Sequence, residues 1–164
     1  MYYVNVFLLY SFFGFIFENF ICLILKNNPE SGILYGPWTP IYGLGVLIIM
    51  FIYNRLKQKK ETTKGILLFI ISFIFLTIIE YIGGVSIKFI FDKTLWNYTG
   101  LPLHIGKYIS IEVSFIWAIG SLIYIYLLKP ITDNIILVIP KLITYIVSIL
   151  FILDFIITLK INIR

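Results

Sequence analysis

The sequence predicts an all-α polytopic membrane protein, a bundle of about five transmembrane helices with a Gly/Pro-rich broken or re-entrant segment between the first and the second. Three observations carry this. Hydrophobic residues make up 60% of the 164 and charged residues only 13%, about half the charge of an ordinary soluble domain. Several apolar runs exceed the ~20 residues an α-helix needs to cross a hydrocarbon core. The net positive charge comes mostly from one short loop. One integral membrane domain over 1–164 is expected, with no soluble domain and no internal repeat. The single cysteine, Cys22, excludes an internal disulfide and a cysteine-built metal site. The net charge of +5 reads as membrane orientation, not as a nucleic-acid footprint.

The first apolar run, residues 3–25, has no basic leader and no small-residue cleavage site, and Glu18 interrupts it, so it reads as a retained helix and not a signal peptide. Residues 32–45 come next, apolar but crowded with breakers: Gly32, Gly36, Pro37, Pro40, Gly43 and Gly45. Proline lacks a backbone donor and glycine permits tight turns. Irregular backbone at membrane depth is tolerated only against protein or a wet cavity, so this stretch is expected to dip into the outer leaflet or lie as a lid on the bundle. The second span, 40–54, is short, at roughly 22 Å. A third span over 65–90, a fourth over 107–128 and a fifth over 135–159 complete the set.

Arg55, Lys57, Lys59, Lys60 and Lys64 lie between the second and third spans, opposed only by Glu61. The positive-inside rule places this loop, 55–64, in the cytoplasm, where it also suits anionic headgroups. The chain then reads as a cytoplasmic-membrane protein with its amino terminus inside. The Gly/Pro segment and the 91–106 loop lie outside. An odd number of spans puts the carboxyl terminus outside, with Lys160 and Arg164 arguing the other way.

Four acids interrupt the apolar runs: Glu18, Glu80, Glu112 and Asp154. A carboxylate in hydrocarbon costs at least ~2.5–3.5 kcal/mol on insertion scales, so an intramembrane acid is a functional candidate. Counting helical rise puts all four in the outer half, toward the Gly/Pro segment. Ser11, Gly14, Glu18 and Cys22 fall on one small, polar helix stripe. Thr77, Gly83 or Gly84, and Ile87 share the face of Glu80; Tyr108 and Gly120 share that of Glu112; Thr158 shares that of Asp154. Each acid also has a structural reading. Glu18 and Glu80 would sit neutral, hydrogen-bonded to a neighbouring helix. Glu112 would pair with Lys107 or rest at the interface. Asp154, near a helix end, would reach water. The possible positive partners are Lys107, Lys88 and the lone histidine, His104, which without a second histidine gives no metal site. Trp96 and Tyr98 fit an aromatic belt at the interface; Trp38, wedged between prolines beside Tyr42, fits it less well. No phosphate loop, dinucleotide fingerprint, zinc motif or nucleophile elbow occurs. Neither a metal nor a cofactor is called for.

Tyr10 to Glu18, Gly32 to Gly45, Glu80-Tyr81, Leu95 to Thr99, Gly106-Lys107 and Trp117 to Gly120 together resemble the type IV ABC-transporter permease family of bacterial membrane proteins, CmpB-like, over roughly residues 8–130. Gly14, Glu18, Gly36, Pro37, Pro40, Tyr42, Gly43, Gly45 and Glu80 fit its pattern. Asn97 and Lys107 stand where the family tends to have Asp and Arg, so a weaker polar contact replaces an acid–base pair. The resemblance implies a permease and, with it, a partner membrane or ATPase subunit.

Three functions are compatible with these residues. In the first, the chain is a transporter or permease component working as a homo-oligomer or with a partner. Its site would hold Glu18, Glu80, Glu112, Lys107, Tyr42 and Trp38, with the broken segment lining the path. In the second, it is an intramembrane enzyme acting on a lipid or lipid-linked substrate, with Glu18 and Glu80 as acid and base. In the third, it is a non-catalytic assembly partner with neutral, structural acids.

Overall fold

A computed structural model of the chain describes residues 1–24 and 32–162. The expected end of the first span at residue 25, and Arg164, lie outside the described residues. The elements are α1 (Tyr2–Ile24), α2 (Pro40–Arg55), α3 (Glu61–Phe91), the two-residue strands β1 (His104–Ile105) and β2 (Ile109–Ser110), α4 (Ile111–Ile123), a π-helical turn (Tyr124–Leu128), α5 (Lys129–Val138) and α6 (Lys141–Asn162). Four stretches are long and apolar enough to cross a membrane: Tyr2–Ile24, Glu61–Phe91, Ile111–Val138 and Lys141–Ile161. Helix α2 is apolar but shorter. The chain is an all-α membrane protein.

Several boundaries differ from those expected, the third helix starting at Glu61 instead of 65. Residues 33–37 are bends and α2 opens at Pro40, where the second span was expected, but it takes Gly43 and Gly45 of the Gly/Pro segment into the helix. Proline at a first helical position loses no bond, because that N–H has no intrahelical partner anyway. The fourth helix begins at Ile111 instead of 107, leaving Lys107 in the preceding loop, and it continues past 128 to Val138. The last helix therefore starts at Lys141 and not at 135. The π turn explains the continuation. Pro130 has no N–H and its ring would press on the carbonyl four residues back. Just before it the ladder widens, and the Lys129 N–H bonds the Tyr124 carbonyl.

Packing divides the chain into two compact units, Met1–Leu44 with Ile135–Arg164, and Gly45–Asn134. In the first, α1 lies close to the start of α2. A Cβ at Gly43 would strike the Phe7 carbonyl and the Ser11 hydroxyl, and one at Gly14 would strike the Tyr42 ring. Small residues let membrane helices approach this way. Helix α6 packs on α1 through an edge-on Phe7–Phe151 pair at 5.4 Å and a buried bond from the Thr144 hydroxyl to Asn5, 2.7 Å. An open apolar cleft of about 200 Å³ lies beside that bond, walled by Leu8, Phe12, Trp38, Ile143 and Val147.

In the second unit, α3 buries Lys64, Leu68, Ser72, Leu76, Glu80 and Gly84. Each is four residues from the next, a single ridge of the helix surface. Ser114, Ala118 and Ser121 form the buried side of α4. Phe69 and Phe115 meet edge-on at 5.2 Å. The large aliphatic and aromatic side chains left exposed around the helices suit a hydrocarbon solvent.

Candidate functional site

Glu18 lies on the α1 stripe with Ser11 and Gly14, which are buried, and is itself half-buried. The hydroxyl of Thr39 donates to its Oε2 at 3.5 Å, and Tyr42 is a second hydrogen-bond partner. Both come from the Gly/Pro stretch and the first turn of α2. The Thr39 N–H in turn bonds the Ser11 carbonyl at 2.9 Å, which fixes that stretch against α1. Gly14, one turn before Glu18, leaves room for the Tyr42 ring. Trp38 packs edge-on against Phe12 and Phe151 and walls the apolar cleft, so it takes an anchoring place instead of a polar one.

Asp154, expected to reach water near a helix end or to be structural, has a structural bond to the bent segment. Its two oxygens accept the backbone N–H groups of Tyr35 and Gly36, each at 3.1 Å. A Cβ on Gly36 would lie 2.6 Å from the Trp38 indole nitrogen and 3.0 Å from the Asp154 carboxylate. The carboxylate thus ties the bent segment to α6, and glycine at 36 permits the approach.

In the other unit Glu80 is 4% exposed. Its Oε1 accepts the Tyr98 hydroxyl at 2.6 Å and the Trp117 indole N–H at 3.3 Å. Its Oε2 is buried with no hydrogen-bond partner. Tyr98 arrives because the 92–110 loop folds on itself. The Tyr98 N–H bonds the Lys107 carbonyl at 2.9 Å, the Ile111 N–H bonds the Leu103 carbonyl at 3.1 Å, and β1 pairs antiparallel with β2. Gly84, one turn after Glu80, leaves room for the Tyr108 ring. The two glutamates thus share a local plan. Each sits one turn from a glycine that carries a tyrosine ring, and each is met by a hydroxyl from the segment after its helix.

Glu112 does not pair with Lys107. It accepts the Leu103 N–H at 3.0 Å and the Ser110 hydroxyl at 2.6 Å, in the first turn of α4, where a negative charge suits the helix dipole. It closes the loop. The Lys107 ammonium reaches Thr94 instead, at 3.3 Å. Lys88 pairs with Asp92, and His104 bonds the Gly106 carbonyl. Among the described residues no cation is ion-paired with Glu18 or Glu80. No cluster there could hold a metal ion either.

A family described as "Putative ABC-transporter type IV" matches residues 5–160, nearly the whole chain. The chain belongs to that family. No curated protein and no solved structure matches it. The match extends over α6 as well as the motif-bearing part of the chain, so Asp154 and its hold on the bent segment lie inside the family's span. The two positions that depart from the expected pattern do not meet here: Asn97 accepts the Thr99 N–H, and Lys107 lies on Thr94.

Sequence reading missed Tyr98 and Trp117 as partners of Glu80. Tyr98 reads as a belt aromatic, and only the fold of the loop turns its hydroxyl inward. Trp117 carried one available signal, since it lies on the same side of α4 as the buried Ser114, Ala118 and Ser121.

Proposed function

We propose that the chain is the membrane-embedded component of a transport system, with the carboxylates of Glu18 and Glu80 as its binding points for a proton or a small cation. The observation that carries this is Glu80. A carboxyl group buried in a membrane-spanning helix receives two neutral donors on one oxygen and leaves the other oxygen buried and unbonded. Neutral donors favour the charged form of a carboxylate, yet among the described residues no cation is paired with it. A buried, uncompensated charge is costly, so the open oxygen is where a proton or cation would bind. Glu18 offers the same chemistry with Thr39 and Tyr42. Orientation with the 55–64 loop in the cytoplasm, a homo-oligomer, and an ATPase subunit on the cytoplasmic side belong to the same proposal. Membership of an ABC-transporter family supports the last of these, because the chain has no nucleotide-binding motif of its own.

The test uses a deletion strain with a growth or envelope phenotype. Glu18→Gln and Glu80→Gln are expected to insert, fold and reach wild-type abundance, yet fail to restore the phenotype. Glutamine keeps the shape and an accepting oxygen but cannot gain or lose charge. Full complementation by both variants would remove the carboxylate role and leave an assembly role.

A further inference from the structure

The stretch Ile111–Val138 is 28 residues long, or about 42 Å at ~1.5 Å per residue. A hydrocarbon core is ~30 Å thick, so a straight crossing would need a tilt of about 45°, beyond the usual range of ~0–40°. The helix therefore leaves the core before it ends. Where it leaves is marked by chemistry. The 13 residues of α4 and five of the π turn already cover about 27 Å. Lys129, Pro130, Asp133 and Asn134 come next, with Lys129 and Asp133 ion-paired.

Helix α5 cannot project straight into water. Only Ile139 and Pro140 separate it from α6. The 22 residues of α6, about 33 Å long, are needed in full to cross. If α5 stood upright, α6 would begin about 15 Å above the core and stop near its middle. Within its own unit α6 starts level with the first turns of α1, since Thr144 bonds Asn5. A π turn and a proline are each a recognised cause of a sharp helix bend, and the π turn and Pro130 lie at the point where one is required.

We propose that α5, Lys129–Val138, is an amphipathic helix lying in the membrane–water interface, on the side that carries the 55–64 loop, with the lipid itself as its partner. Ile131, Ile135 and Val138 recur at helical spacing and are 60, 47 and 77% exposed. Thr132 and Ile136 are buried on the adjacent face. Asn134, Pro130 and Leu137, all exposed, flank the stripe on its other side, and the ion-paired Lys129 and Asp133 lie opposite it. An aliphatic stripe opposite an ion pair, in a helix held level with the headgroups, matches an interfacial helix. The proposal is independent of the two carboxylates.

Nitroxide labels at Ile131→Cys, Asn134→Cys, Ile135→Cys and Val138→Cys, in full-length Cys22→Ser protein in phosphatidylcholine nanodiscs, test it. Collisions with oxygen and with a water-soluble nickel chelate give each label's depth. The three stripe positions are expected at one shared depth, ~5–10 Å below the headgroups, with an oxygen-to-nickel ratio several-fold above that at Asn134. Depths that change steadily by ~1.5 Å per residue would overturn the proposal, as an upright helix. Stripe labels shielded from both colliders would overturn it too, in favour of a protein partner. Any two stripe labels are enough to separate these outcomes.

Discussion

At Asp154 two backbone N–H groups converge on one carboxylate, and the bent segment 33–37 has no regular ladder to satisfy them otherwise. Asp154→Ala removes both acceptors. It is expected to lower stability by ~1–3 kcal/mol, read as an earlier thermal unfolding midpoint in detergent, and Asp154→Asn should recover about half of the loss because one oxygen remains. The glutamates should respond in the opposite pattern. Gln at 18 or 80 keeps an accepting oxygen for Thr39 or for Tyr98, so the midpoint should hold while function fails. Glu80→Leu should lower both, because the Tyr98 hydroxyl and the Trp117 N–H lose their acceptor. A Gln variant that unfolds as early as the Leu variant would show that the charge itself holds the fold.

The contact of α1 with α2 rests on two glycines that differ in what surrounds them. At Gly43 an added Cβ meets the Phe7 backbone carbonyl, which cannot swing away, whereas at Gly14 it meets the Tyr42 side chain, and at Gly120 it meets open space. Gly43→Ala should therefore cost the most, ~1–3 kcal/mol as overpacking, Gly14→Ala less, and Gly120→Ala, inside α4 with free space, should gain ~0.4–1 kcal/mol. Thermal midpoints of the three variants in one detergent give the order. A midpoint for Gly43→Ala equal to that of Gly120→Ala would overturn the close approach. Long apolar helices such as α1 and α3 were legible in the sequence because hydrocarbon requires their length and composition. The acids were legible because hydrocarbon penalises them. The boundary between α5 and α6 was not, since the apolar run Ile135 to Ile139 is continuous and periodicity cannot assign it to either side. Pro140 was the available signal, because the residue before a proline rarely stays helical. The partners of the acids were illegible for a different reason. Tyr98 lies 18 residues from Glu80, and Tyr35 lies 119 from Asp154, and such pairings are settled by how a loop folds, not by local spacing.

For the whole molecule the decisive variable is which side of the membrane each loop occupies. The end of α2 and the turn after it carry Arg55, Lys57, Lys59 and Lys60, all exposed. Lys64 is drawn into the unit instead, paired with Glu61 and lying 5.1 Å from the Tyr53 ring centroid. Arg55 lies over Phe51, 5.0 Å from its centroid, and Phe51 is itself exposed. An apolar ring one turn from a cation that stacks on it suits a membrane boundary, because long cationic side chains lay their stems on apolar surface and keep the head in water. Moving these exposed cations across a bilayer is strongly disfavoured, and short basic loops stay cytoplasmic. On the proposed orientation helix α3 would cross outward, putting the 92–110 loop and the Tyr98 hydroxyl bonded to Glu80 at the outer face. In Cys22→Ser protein, Lys59→Cys should react with a membrane-impermeant maleimide only after the cells are opened. Gly100→Cys should react in intact cells, since Gly100 is exposed with open space around it. The reverse pattern would turn the molecule over. Glu80 would then open toward the cytoplasm, and an ATPase docking beside the basic loop would have to bind from the wrong side of the membrane.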